Sequence, residues 1–154
     1  MHIAVLDDNI ADRKQTERLL DRESDRRIAT TGNLYADSFG AEDAFFAAPR
    51  QYDLFMIDVA GEANLSVDIA RRLRDMGIKV PICFLRNSHE FDGIEEMPEN
   101  ILFLEKPIKV AELTSLIDEV IKLLEEHADE YKFVDEEEEP VKKNVFKRIF
   151  EYFY

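Results

Sequence analysis

The chain has 154 residues, of which 34 are acidic and 20 basic, so its formal net charge is -14. A surface of that charge repels a phosphate backbone, which argues against a nucleic-acid partner. Hydrophobic residues make up 45% of the chain, and it holds only five Gly and five Pro. This composition excludes the disordered, collagen-like and low-complexity classes and suits a globular domain with a core of its own.

Cysteine usage and the N-terminus bear on the compartment. The single cysteine, Cys83, lies in the apolar run VPICFL, so neither a disulfide within the chain nor a cysteine zinc site is possible, and a reducing compartment is expected. The start MHIAVLDDN reaches two acids too soon for a signal peptide, and no run approaches the roughly 20 apolar residues of a spanning helix. We therefore expect a cytoplasmic protein.

Five apolar runs of strand length alternate with stretches of helical spacing. The runs cover residues 2–6, 34–39, 53–57, 80–85 and 101–104. Four of them are almost continuously hydrophobic, as in strands that a parallel sheet buries on both faces. The run LYADSF at 34–39 alternates instead, which indicates a strand at or near the edge.

The predicted helices cover residues 11–23, 41–48, 66–76, 88–97 and 110–127. Asn9 or Asp8 can cap the first helix, and Gly77 can end the third. The fourth is weak, because Gly93 and Pro98 interrupt a polar stretch. Five alternating strand and helix units predict an α/β fold with a doubly wound parallel sheet.

Charged side chains follow three of the predicted strands. Asp7 and Asp8 follow the first, Asp58 follows the third and Lys106 follows the fifth. Ligands of a doubly wound sheet bind outside the carboxyl ends of its strands, and carboxylates that converge there repel one another until a hard cation such as Mg²⁺ binds. The alternative is that these acids only cap the helices that follow; the joint pattern favours a site.

The segments IAVLDDN, YDLFMID, VPICFL and FLEKPI resemble the receiver domain of two-component response regulators, over about residues 1–127. The resemblance implies a flavodoxin-like (βα)5 fold. It also implies that Asp58 accepts a phosphoryl group and that Asp8, Asp58 and the backbone carbonyl of Ala60 ligate Mg²⁺. Asp7 would hold the metal through water, and Lys106 would contact the phosphoryl group. Such a site works by positioning and charge neutralisation.

The sequence departs from the receiver pattern at Arg86, which stands where the family usually has a Ser or Thr that bonds the phosphoryl oxygen. Three interpretations of Arg86 stay open. Its guanidinium could clamp the phosphoryl group, it could pair with Asp58 or Asp8 and take the place of the metal, or it could extend into solvent. Phe103 occupies the aromatic switch position, and Glu62 replaces a usual Pro.

The composition changes after the receiver-like part. We predict an acidic linker over residues 128–140, with five consecutive acids at 135–139, and an amphipathic helix over residues 141–154 with one aromatic and one basic side. Such a helix can dock on its own receiver, on a second copy in a homodimer or on a membrane surface, and we favour docking on protein. The tail is too short for a DNA-binding output domain.

Three functions fit the sequence. The first is a signalling receiver that takes a phosphoryl group on Asp58 from a histidine kinase or phosphotransfer protein and then modulates a protein partner. The second is a pseudo-receiver, an interaction module that works without phosphate. The third is a small Mg²⁺-dependent hydrolase with Asp58 as nucleophile, for which Glu62 is the nearest candidate acid. We rank them in that order.

Overall fold

The computed structural model describes residues 1–59 and 62–131. These residues form one five-stranded parallel sheet with the strand order β2-β1-β3-β4-β5. The strands are β1 (His2–Asp7), β2 (Tyr35–Phe39), β3 (Leu54–Asp58), β4 (Ile82–Arg86) and β5 (Ile101–Glu105). This order is that of flavodoxin-like sheets, so the predicted doubly wound fold is confirmed.

The described helices occupy four of the five predicted positions, with one short addition at the end. They are α1 (Ile10–Arg27), α2 (Glu42–Phe45), α3 (Ala63–Asp75), α4 (Val110–Glu126) and α5 (Ala128–Tyr131), and a 3-10 turn covers Pro49–Gln51. The Asn9 side chain caps α1 by accepting a hydrogen bond from the Asp12 N–H. Gly77 follows α3 with a φ of 82°, a left-handed conformation that suits Gly at the end of a helix.

The helix predicted over residues 88–97 is wrong. The structure has turns and irregular chain between β4 and β5, and the φ angles of His89, Gly93 and Asn100 are 67°, 83° and 58°. A right-handed helix cannot contain such left-handed residues. The segment still closes the core, because Phe91 is buried and its ring stacks on Phe84 with 4.8 Å between centroids.

Apolar side chains cover both faces of the sheet. On one face α1 and α4 supply the buried residues Leu19, Leu20, Leu113, Leu116, Ile117 and Val120. On the other face the buried residues come from α2, α3 and the segment between β4 and β5, namely Phe45, Val67, Ile69, Ala70, Leu73 and Phe91. The central strand β3 is buried along its whole length, whereas β2 is partly exposed at the edge. The alternation in residues 34–39 therefore predicted the edge strand correctly.

The described chain extends a little beyond the receiver boundary placed at residue 127. Tyr131 in α5 packs against the core, and its hydroxyl accepts a hydrogen bond of 3.0 Å from the Asn100 side-chain amide. The rest of the predicted linker and the amphipathic helix at 141–154 lie outside the described residues. Within residues 1–59 and 62–131, no helix combines the length and apolar character needed to cross a membrane.

Candidate functional site

Four parallel strands end at one edge of the sheet and place charged residues there. Asp7, Asp58, Arg86 and Glu105 are the last residues of β1, β3, β4 and β5, and Lys106 follows β5. Asp7 is in register with Asp58, and Arg86 is in register with Glu105. The structure thus brings together three of the residues predicted from the sequence, Asp7, Asp58 and Lys106.

Asp58 and Lys106 form an ion pair at this edge. The Lys106 Nζ donates to the Asp58 Oδ2 over 2.7 Å, and the two side chains are 19% and 2% exposed, respectively. Burial raises the pKa of Asp58, and the hydrogen bond and charge of Lys106 oppose this rise without cancelling it. Burial lowers the pKa of Lys106, but the bond to Asp58 and the charges of Asp58, Asp12 and Asp7 together outweigh burial and raise it. The ammonium therefore stays charged beside the carboxylate.

Asp7 is buried beside this pair and is only partly satisfied. Its Oδ1 accepts a hydrogen bond of 2.9 Å from the Asn9 N–H, whereas its buried Oδ2 has no hydrogen-bond partner among the described residues. Burial is the main cause that raises the pKa of Asp7 to about 6; the Asn9 N–H lowers it and the charge of Asp58 raises it further. A buried carboxylate oxygen without a donor is a place where a cation is stabilising.

A third carboxylate comes from Asp12, which the sequence analysis did not single out. Single carboxylate oxygens of Asp7, Asp12 and Asp58 all lie within 4.8 Å of one another. Asp12 is the third residue of α1, and the helix begins at the same edge of the sheet. Its place in the first helical turn after a strand that ends in Asp7 was the available signal.

Two predicted metal ligands are not among these three described acids. Asp8 follows Asp7 directly but is exposed, and it is not one of the three clustered acids. The predicted carbonyl ligand belongs to Ala60, which lies outside the described residues. Glu62, the acid considered for a hydrolase, is exposed just before α3 and lines an open cleft that it shares with Glu90.

The structure gives Arg86 a partner that the sequence analysis did not consider. Its Nε donates to the Glu105 Oε1 over 2.8 Å, and its guanidinium carbon lies 4.1 Å from the centroid of the Phe103 ring. Pairing with Asp58 or Asp8 is therefore not what the structure shows, and the side chain does not simply extend into solvent. Phe103, the predicted aromatic switch residue, also packs against the rings of Phe84 and Phe91.

Comparisons with solved structures agree with this architecture. A response regulator receiver domain (CheY-like) from Methylobacillus flagellatus has a TM-score of 0.61 at 22% identity, and the match covers 78% of this chain and 98% of that one. A response regulator receiver protein from Burkholderia phymatum has a TM-score of 0.54 at 20% identity, and the match covers 79% of this chain and 94% of that one. A response regulator receiver domain protein from Bacillus halodurans has a TM-score of 0.55 at 17% identity, and the match covers 78% of this chain and 96% of that one.

Sequence comparisons add nothing to this result, since no protein-family model and no curated protein matches the chain. At these identities the likeness shows the fold. The chain thus has the fold of response-regulator receiver domains, and the resemblance read from its motifs is confirmed at that level. The chemistry of the site has to be argued from its own residues.

Proposed function

We propose that this protein is a signalling receiver that accepts a phosphoryl group on Asp58 from a histidine kinase or phosphotransfer protein. The observation that carries the proposal is the ion pair of the buried Asp58 with the partly buried Lys106, beside Asp7, whose Oδ2 lacks a donor among the described residues. A purely structural ion pair would not need a second buried carboxylate next to it, since like charges in a dry site repel. A site built to hold a cation and an anion together uses all three groups.

The chemistry follows from the placement of these groups. An oxygen of the Asp58 carboxylate attacks the phosphorus atom in line and an O–P bond forms. The P–N bond of a phosphohistidine donor breaks, and its electron pair leaves on the imidazole nitrogen. The ammonium of Lys106, already 2.7 Å from the Asp58 Oδ2, neutralises charge on the transferred group. Catalysis in such a site is positioning and electrostatic stabilisation.

The residues present fit a Mg²⁺ ion. The Oδ2 of Asp7, which has no hydrogen-bond partner within residues 1–59 and 62–131, and the other two clustered carboxylates offer hard oxygen ligands. We propose Asp7, Asp8, Asp58 and the carbonyl of Ala60 as the residues that hold it, with Asp12 close enough to add its charge. When bound, Mg²⁺ would neutralise negative charge on the oxygens of the phosphoryl group.

A matched pair of variants tests this assignment. Mg²⁺ should raise the melting temperature of the wild-type protein, because it relieves the repulsion between carboxylates. We expect Asp8→Asn to abolish that rise, and Asp12→Asn to weaken Mg²⁺ binding about tenfold, which is a typical effect of a residue supporting a metal site. Loss of the rise in Asp12→Asn with no change in Asp8→Asn would transfer the ligand role to Asp12.

Phosphorylation itself is tested with a small phosphodonor. Incubation of the whole chain with acetyl phosphate and Mg²⁺ should add one phosphoryl group, detected by intact mass, and peptide mapping should place it on Asp58. Asp58→Asn is the control that should stay unmodified. Absence of the modification at saturating donor and Mg²⁺, or its appearance on another residue, would contradict the proposal.

The proposed output is a change in contact with a protein partner. A net charge of -14 argues against DNA as that partner. We propose a cytoplasmic location, where a histidine kinase would supply the phosphoryl group. A phosphate-independent interaction module is the second candidate. It is favoured by one observation: the end of β4 carries Arg86, held by Glu105, where receivers usually carry a hydroxyl.

A further inference from the structure

Arg86 is held at the edge of the sheet by two contacts on one side. Glu105, its partner in the β4–β5 register, accepts a hydrogen bond from the Arg86 Nε, and the Phe103 ring lies beneath the guanidinium. On the same β5 side, the backbone carbonyl of Arg86 accepts a hydrogen bond of 2.8 Å from the N–H of Lys106, the residue after Glu105. Arg86 is thus joined through its backbone to the residue that binds Asp58.

The ion pair between Arg86 and Glu105 is easily broken, which frees Arg86 to bind another anion. The two side chains are 27% and 47% exposed, so water screens their attraction and solvates each charge after separation. Only the Nε takes part in the hydrogen bond to Glu105. An anion that carries more charge and is less exposed to water would therefore compete well with Glu105 for the Arg86 guanidinium.

A phosphoryl group on Asp58 would be such an anion. Asp58 and Arg86 end the neighbouring strands β3 and β4, which lie ~4.8 Å apart in a sheet. The Asp58 side chain is only 2% exposed, whereas the Glu105 side chain is 47% exposed. A phosphoryl group carries about two negative charges at neutral pH and offers oxygens that a guanidinium binds in a fork. The long arginine side chain spans a distance of one strand without movement of the backbone.

We infer that Glu105 is the resting counter-ion of Arg86 and that a phosphoryl group on Asp58 takes Arg86 from it. This inference rests on the proposed function. Glu105 acts as a positioning residue, because it touches no reacting atom and works through Arg86 alone. Departure of Arg86 would also uncover the Phe103 ring, whose face it covers at rest, so the exchange would alter the surface at the end of β5.

The alternatives differ in how Glu105 acts. If Glu105 influenced the site only through its negative charge, its removal would strengthen anion binding whether or not Arg86 were present. If it held Arg86 as a counter-ion, its removal would act only while Arg86 remained. A double-variant cycle separates these two cases.

The experiment measures the Mg²⁺-dependent affinity of the whole chain for fluoroberyllate, a stand-in for the phosphoryl group. The variants are Glu105→Gln, Arg86→Gln and both together. We expect Glu105→Gln to bind about two- to fivefold more tightly than wild type, in keeping with the strength of a partly exposed ion pair. Arg86→Gln should bind more weakly, and the double variant should match Arg86→Gln alone.

Glu90→Gln is the matched control. Its charge also acts on Asp58, and its carboxylate accepts a hydrogen bond from the Asn87 N–H that a glutamine can replace. The effect of Glu90→Gln should persist in the Arg86→Gln background. The inference would be overturned if the effect of Glu105→Gln also persisted in the Arg86→Gln background. It would equally be overturned if the wild-type chain bound fluoroberyllate and Glu105→Gln did not change its affinity. Failure of the wild-type chain to bind would instead overturn the proposed function, and the inference with it.

Discussion

At the scale of single residues, the site is defined by one carboxylate that is buried without full compensation. Asp7 keeps one hydrogen bond, from the Asn9 N–H, and its Oδ2 has none among the described residues. Its pKa rises from 3.8 to about 6, mainly through burial. The folded protein then binds this proton more tightly than the unfolded chain, so the contribution of Asp7 to stability falls as the pH rises from about 4 to about 6.

This pH dependence of the stability can be tested in the absence of Mg²⁺. At pH 7.5 we expect Asp7→Asn to raise the free energy of unfolding by about 3 kcal/mol, since it removes a buried charge whose pKa rises from 3.8 to about 6 on folding. Near pH 4 the gain should vanish, because the wild-type carboxyl is then protonated and is as neutral as the Asn side chain that replaces it. Urea unfolding at both pH values measures the difference, with the exposed Asp21→Asn as control. A destabilised Asp7→Asn at pH 7.5 would contradict the account of this carboxylate.

The sequence was informative about some residues of the site and silent about others. Asp7, Asp58 and Lys106 could be placed because each comes directly at or after the end of a strand, and parallel strands end at one edge. Asp12 and Glu105 could not, since their roles depend on side-chain reach from a helical turn and across β4 and β5. Strand register and helix orientation are tertiary facts that periodicity does not carry.

At the scale of elements, the largest departure from expectation is the missing helix between β4 and β5. Arg74, near the end of α3, holds this segment and the chain before β4. Its guanidinium donates to the carbonyl oxygens of Ile78, Val80, Glu99 and Asn100 over 2.8 to 3.3 Å. Burial lowers the pKa of Arg74 to about 10, against the opposing charges of Tyr131 and Glu99. One side chain thereby satisfies carbonyl oxygens both in the chain before β4 and in the chain before β5.

Replacing Arg74 tests this role. Arg74→Ala leaves several carbonyl oxygens without a donor, and we expect it to cost about 2 to 4 kcal/mol of unfolding free energy. Arg74→Lys keeps the charge but not the planar fork, so it should recover only part of the loss. Arg72→Ala, two residues earlier, is the control; Arg72 lies 3.8 Å over the Phe46 ring, and its loss should cost about 1 kcal/mol or less. Equal effects of Arg74→Ala and Arg72→Ala in urea unfolding would contradict the interpretation.

Long periodic elements were predictable and the irregular segment was not. The stripe of Leu113, Leu116, Ile117 and Val120 gave α4 within a residue of its observed end, because its spacing allows only one buried face. The segment at 88–97 has no such stripe. Its conformation depends on left-handed His89 and Gly93 and on Phe91 packing against Phe84, contacts that become visible only in three dimensions.

At the scale of the whole molecule, the receiver fold presents one charged edge that couples three kinds of group. Asp7, Asp12 and Asp58 attract a cation, Lys106 attracts an anion, and Arg86 stands beside them bound to Glu105. The acidic linker and the amphipathic helix at 141–154 stay predictions, because they lie outside the described residues. The function proposed for this edge of the sheet is a switch whose input is Asp58.

The most direct test of this account is the binding of fluoroberyllate to the wild-type chain, followed by fluorine NMR with and without Mg²⁺. We expect a resonance of bound fluoroberyllate that requires Mg²⁺ and that is absent in Asp58→Asn, because the Asp58 oxygen supplies the bond to beryllium. A bound resonance that persists in Asp58→Asn, or no bound resonance in wild type at saturating Mg²⁺, would contradict the claim that Asp58 is a phosphoryl-accepting site.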